Sequence, residues 1–190
     1  MTDVPTAAHP DLQRAIIFHG HFCPGLAIGY RAAEIALDRL RAGRAEDEEL
    51  VAIVENCSCA VDAVQVITGC TFGKGNLVFH DHGKHVYTFA SRPTGHAVRL
   101  SLRRRDSSAE SDLSREERTK RLLAAPAEDL FDIRELTIDL PGRAEIRPSV
   151  VCDRCGEAVM DTRTRRAGGG TLCIPCASAA PSHGAPAGRA

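Results

Sequence analysis

The stretch Pro24-Gly25-Leu26-Ala27-Ile28-Gly29-Tyr30-Arg31-Ala32-Ala33-Glu34-Ile35-Ala36-Leu37-Asp38-Arg39-Leu40-Arg41, followed by the β-branched run Leu50-Val51-Ala52-Ile53-Val54, decides the fold class. Leu26, Tyr30, Ala33, Leu37 and Leu40 step by four and three and lay one apolar stripe along a 3.6-residue period. Arg31, Glu34, Asp38 and Arg41 fall on the opposite face. Pro24 suits a first helical turn, where its missing N–H is harmless, and Gly43 supplies a stop. The segment is a surface helix, and 50–54 is short enough to be a buried strand.

Working outward, Pro10 to Phe18 reads as a short helix opened by Pro and Asp. A second helix is expected from Ser58 to Thr68, ended by Gly69. Leu77 to Phe79 reads as a strand, Asp81-His82-Gly83-Lys84 as a turn into a strand at 86–89, and Val98, Leu100 and Leu102 alternate as a further strand. Residues 103–112 are charged and Ser-rich and read as a solvated loop. Ser114-Arg115-Glu116-Glu117 is a capping box opening a helix to about Ala125, and 136–140 alternates again. Helices and strands interleave, so the fold class is α+β: a mixed helix/sheet core over 1–145, a small four-cysteine zinc ribbon over 146–177 and a loose Ala/Pro/Ser/Gly tail over 178–190.

The chain has 190 residues, 43% of them apolar and 26% charged, with 24 basic and 25 acidic side chains. This is the balance of a globular protein and excludes collagen-like, coiled-coil and fully disordered readings. No apolar run reaches the roughly 18 residues a spanning helix needs, so no membrane role is expected. The formal net charge of −1 and the absence of Trp remove the usual footprints of nucleic-acid binding, and nucleic acid is not an expected partner. The polar first ten residues lack a signal-peptide pattern, and a cytoplasmic location is expected.

Eight cysteines then point to metal or thiol chemistry rather than disulfides. Cys152-Asp153-Arg154-Cys155 and Cys173-Ile174-Pro175-Cys176 are two CxxC pairs with 17 residues between them. Two knuckles at that distance close a tetrahedral thiolate site, and zinc is the expected ion. Redox CxxC motifs sit at the head of a helix in a βαβ unit, and neither pair is expected to lie in one. Four ligands make this a structural site. Arg154, Arg163, Arg165 and Arg166 are nearly offset by Asp153, Glu157 and Asp161, so contact with protein or plain stabilisation is the expected role.

In the core, His19, His21 and Cys23 stand at i, i+2 and i+4; an extended segment before Pro24 would point all three to one side. Cys57 and Cys59 alternate in the same way. Cys59, Asp62 and Gln65 form a polar stripe on an otherwise apolar helix, and such a stripe needs partners when buried. Cys70 opens the loop Cys70-Thr71-Phe72-Gly73-Lys74-Gly75-Asn76, which lacks the spacing of a nucleotide-binding P-loop. Two readings stay open: a second metal centre, zinc with mixed Cys/His ligands, built from the His19-Gly20-His21-Phe22-Cys23 segment, Cys59 with Asp62 and Cys70 in its Gly-rich loop, or a reactive thiolate flanked by His and Lys74. His80, His82 and His85 are read as solvent-facing.

The string Phe18-His19-Gly20-His21-Phe22-Cys23-Pro24-Gly25, with Cys59-Ala60-Val61-Asp62-Ala63-Val64-Gln65 and Thr68-Gly69-Cys70-Thr71-Phe72-Gly73-Lys74-Gly75-Asn76-Leu77, resembles the FmdE family, which is associated with the formylmethanofuran dehydrogenase operon. The resemblance implies an α+β core that forms a homodimer, and a metal-bearing cleft lined by His21, Cys23, Cys59, Asp62, Gln65, Cys70 and Lys74. Cys57 departs from the family pattern and is read as a spare ligand or resolving thiol. On this footing the expected function is that of a zinc-dependent accessory or small-molecule-processing protein linked to a molybdenum/tungsten oxidoreductase such as formylmethanofuran dehydrogenase. In an enzymatic form Asp62 would be the base and Lys74 would hold an anionic group, with Gln65 beside them. The alternative is a regulatory protein whose ribbon contacts a partner protein or nucleic acid.

Overall fold

The computed structural model describes residues 9–104 and 113–179. The chain divides into two compact units, Met1–Ala144 and Glu145–Ala190. Most of the expected loop at 103–112 and all of the tail from residue 180 lie outside the described residues.

The first unit opens with helices α1 (Pro10–His19) and α2 (Pro24–Leu40), followed by strand β1 (Leu50–Val54), helix α3 (Ala60–Thr68) and strand β2 (Leu77–Phe79). Strands β3 (Val86–Ser91) and β4 (His96–Leu102) come next, then helices α4 (Arg115–Ala124) and α5 (Ala127–Leu130) and strand β5 (Phe131–Thr137). The strands form one sheet in the order β2-β1-β3-β4-β5, with β1 and β2 parallel and every other pair antiparallel. Helix α2 packs on β3 and β4 and α3 on β1, while α1 and α4 flank the two helices. Leu26, Tyr30, Val54, Val64, Tyr87, Phe89 and Leu100 are buried where these layers meet. Each large aliphatic side chain hidden there contributes about 1.5–3 kcal/mol.

The mixed sheet corrects one expectation. The 81–84 segment does not join hairpin neighbours, because β1 lies between β2 and β3. The parallel β1–β2 pair instead needs a crossover, which α3 provides. Strand β5 also begins earlier than the alternation at 136–140 suggests. Phe131 is buried and pairs with Leu102, and the strand ends at Thr137. Helix α2 stops at Arg41, which takes the left-handed conformation at φ 49°, rather than at Gly43. Gly69 caps α3 as expected. The capping box at the start of α4 is complete, with Ser114 Oγ accepting from the Glu117 N–H and the Glu117 carboxylate accepting from the Ser114 N–H.

The second unit holds two small hairpins, β6 (Ser149–Val151) with β7 (Ala158–Met160) and β8 (Thr164–Ala167) with β9 (Gly170–Cys173), then the short helix α6 (Ile174–Ser178). Its core is Cys152, Leu172 and Cys173, with Val159, Cys176 and Ala177 packed around them. The second CxxC stands at the start of this five-residue helix, with Cys173 preceding its first turn, but the helix follows an antiparallel hairpin and, among the described residues, belongs to no βαβ unit.

Candidate metal centre

The core centre is assembled where three helix ends meet. Helix α1 runs one residue further than its sequence suggests and ends with His19; Gly20, at φ 89°, then reverses the chain. Cys23 is extended and caps α2, its Sγ accepting the Leu26 N–H at 3.4 Å. Side-chain ligand atoms of His19, His21 and Cys23 lie within 4.8 Å of one another. They converge through a helix end and a turn, not through the straight alternation of an extended segment.

The second wall comes from α3. Gly29 brings α2 and α3 together: a Cβ on it would stand 2.0 Å from the Ala60 carbonyl oxygen. Only glycine permits that approach. The contact sets the α3 N-terminus beside that of α2, and the Cys59 thiol comes close enough to the Cys23 thiol for the two to interact. Burial pushes the Cys59 thiol up, and the Cys23 thiol and Asp62 carboxylate push it further.

Asp62, one turn into α3, contacts His19 Nδ1 through its Oδ2 at 2.7 Å. A carboxylate only accepts, so Nδ1 carries the proton and Nε2 turns its lone pair toward Cys23 Sγ, 3.8 Å away. A carboxylate behind a histidine fixes both tautomer and ring direction for a metal. The His21 ring lies 4.4 Å from that of His19, and Arg115 Nη2 of α4 is 3.2 Å from His21 Nε2. Half-buried imidazoles and a buried sulfur form a soft, nitrogen-rich donor set that suits zinc.

The remaining expected residues are placed elsewhere. Cys70 is fully buried at the opposite end of α3 from Cys59, roughly 13 Å of helix away. Burial pushes its thiol up, as in an inert core cysteine. Lys74 Nζ donates to the carbonyls of Ala45, Glu46 and Asp47 at 3.3, 3.2 and 2.9 Å, pinning its loop to the segment before β1. Asn76 does the same through Asp47 and Leu50. Gln65 is half-buried beside Arg14, Phe18 and Thr71, on another surface. Cys57 is exposed, as are His80, His82 and His85. His19 shares the spacing of His21 and Cys23 but is absent from the cleft that the resemblance implies, and its part depends on Asp62, 43 positions later.

In the second unit the sulfurs of Cys152, Cys155, Cys173 and Cys176 also lie within 4.8 Å of one another. Main-chain N–H groups of Cys155 and Cys173 hold the Cys152 thiol down to about 6. Cys176 is pushed up to about 12, first by its hydrogen bond to Cys173 and then by burial and the other sulfurs. Four converging thiols cannot all ionise without a cation between them, and zinc meets that need. Among the described residues no helix is long and apolar enough to cross a membrane.

Comparison with known proteins agrees with this division. Residues 143–181 match the prokaryotic dksA/traR C4-type zinc finger. A curated relative from Archaeoglobus fulgidus, named "Probable S-adenosyl-L-methionine-binding protein", is 34% identical over 198 residues, covering 87% of this chain and 52% of the relative. The chain thus spans about half the length of that curated relative. The crystal structure of an FmdE-like protein of the tungsten formylmethanofuran dehydrogenase type, from Syntrophus aciditrophicus, shares the fold at a TM-score of 0.66 and 26% identity, over 95% of this chain and 99% of that one. Residues 18–132, which hold α2, α3, the donor cluster and most of the sheet, match the family described as "FmdE, Molybdenum formylmethanofuran dehydrogenase operon", and because that match takes in more than half of the sequence, the chain belongs to the FmdE family.

Proposed function

We propose that the core is a zinc-binding accessory or small-molecule-processing protein acting beside a molybdenum/tungsten oxidoreductase, and that the C-terminal zinc finger is structural. The observation that carries this reading is the convergence of His19, His21 and Cys23 with Asp62 fixing the His19 ring from behind. Three donors from one turn, with the Cys59 thiol against Cys23, leave room for an exchangeable ligand, unlike the closed four-cysteine set. A bound zinc would supply Lewis-acid polarisation of a substrate oxygen. The chain's own residues do the positioning. Asp62 holds the proton on His19 Nδ1 and is therefore an orienting group rather than a free base. Arg115 brings positive charge to the His21 edge of the site. A homodimer is part of the proposal: Ile17, Phe18 and Phe72 are exposed at 77, 60 and 62%, and Phe18 shares a surface depression with Thr71, next to Phe72. The link to an oxidoreductase rests on the family and on the FmdE-like crystal structure.

The test is metal analysis of the full chain. Two equivalents of zinc per chain are expected in the wild type, falling to one in both His21→Ala and Cys23→Ser. A wild type with a single equivalent, lost on Cys173→Ala, would overturn the core centre. The name of the Archaeoglobus relative makes S-adenosyl-L-methionine one small molecule to titrate against the zinc-loaded protein.

A further inference from the structure

Pro24, the residue after Cys23, lines an open cleft of about 900 Å³. That size falls within the range of sites that take a drug-sized organic molecule. The cleft has two kinds of wall. Ile28 and Leu122 from α2 and α4, with Val86 and Leu102 from β3 and β4, give it an apolar floor. Lys84, Arg103, Arg104 and Arg118 stand around it, all exposed to solvent. Among the described residues lining it there is no carboxylate, and none of these four cations pairs with a described Asp or Glu. Arg103 Nε and Arg118 Nε donate instead to the carbonyls of Phe131 and Leu113, at 3.3 and 3.2 Å. Those contacts hold the two side chains in place without neutralising their charge.

Several arginines elsewhere on this unit behave differently. Arg31, Arg39, Arg92, Arg99 and Arg134 each meet a carboxylate. In a protein whose charges balance overall, four cations with no carboxylate partner among the described residues, set over an apolar floor, are a local excess that an anion would complete. Two of its lining residues stand close along the chain to groups of the donor cluster. Pro24 adjoins Cys23 along the chain, and Arg118 lies one turn of α4 beyond Arg115, which touches His21.

We infer that this cleft binds a small organic anion, an acidic head group on an apolar body, with Lys84, Arg103, Arg104 and Arg118 receiving the head group. The inference deepens the functional proposal above and rests on it only in making that anion the ligand presented to the core metal. A compound with an added positive charge is disfavoured by the same four side chains.

Titration calorimetry of the full, zinc-loaded chain with a matched pair of probes, octanoate and octylammonium, tests it. Octanoate is expected to bind and octylammonium not to. The Lys84→Gln/Arg118→Gln double variant should weaken octanoate about tenfold, the effect of removing charged hydrogen-bond donors, whereas Arg118→Lys retains binding within about threefold. Arg134→Gln, on the exposed face of β5, should change nothing. Circular dichroism and the melting midpoint show whether each variant is folded. Binding should also weaken as salt rises. Failure of octanoate to bind at about 10 mM, equal binding of the two probes, or undiminished binding by a folded double variant overturns the inference. His21→Ala separates it from the metal centre: retained octanoate binding with unchanged zinc content removes the metal reading and leaves the cleft, while lost zinc with no octanoate binding in either protein does the reverse.

Discussion

The two sulfur-bearing sites reach similar donor spacing by opposite routes. In the second unit the four thiols come from 25 consecutive positions, and among the described residues the buried cluster is Cys152, Leu172 and Cys173, so two of these three are themselves ligands. In the first unit His19, His21, Cys23 and Cys59 hang from helix ends that are already packed by a large apolar core. In one case the ion organises the chain; in the other the chain organises a place for the ion. Loss of metal should therefore mean loss of structure in the first case and loss of ligand in the second.

The largest effect expected from this contrast is on the zinc finger. Chelation, or Cys152→Ala, should unfold the segment 149–178, because structural zinc supplies on the order of 10 kcal/mol to such modules. Amide resonances of that segment should collapse while those of β1, β3 and β4 stay dispersed. Retention of the finger's dispersed spectrum without metal would erase the distinction. Next in size is Gly29→Ala, which pushes a methyl into the Ala60 carbonyl. Separating α2 from α3 should cost about 3 kcal/mol in denaturant unfolding and weaken the core metal with it, leaving the finger intact. Asp62→Asn sharpens the comparison, since it leaves the core packed but removes the negative charge behind His19. Core zinc affinity should fall about 10- to 100-fold by competition with a chelator, with the unfolding midpoint nearly unchanged. The smallest effect is that of Ser114→Ala, which breaks the capping box of α4 and should cost about 1 kcal/mol in the first unit alone, with no change in zinc content.

How far the sequence leads can be followed residue by residue. Helix α2 is legible because its stripe follows one period and is backed by the caps at its ends, and the two CxxC knuckles are legible because their ligands are local. The position of β1 between β2 and β3 is not, since strand neighbours are chosen by the crossover and not by the turn at 81–84. Phe131 and Ile133 of β5 carry the right alternation, but Asp132, Arg134 and Glu135 around them make the run look solvated. In the core site the joint presence of His19, His21, Cys23 and Cys59 is visible along the chain, yet which of them converge depends on the Gly29–Ala60 contact and on Asp62. Lys74 shows the converse. Its Gly-rich loop suggests an anion site, and the three carbonyls that take up its ammonium come from 27–29 residues earlier.

The central placement of β1 also bears on how the protein is made. Both of its partners lie downstream, so Leu50–Val54 leaves the ribosome with neither edge satisfied until Phe79 is added, and its β3 edge stays open until Ser91 has followed. At ordinary elongation rates that interval lasts roughly 2–7 s. Throughout it the most aliphatic strand of the sheet is an open template, which makes nascent chains stalled between residues 54 and 91 the species most prone to pair with one another.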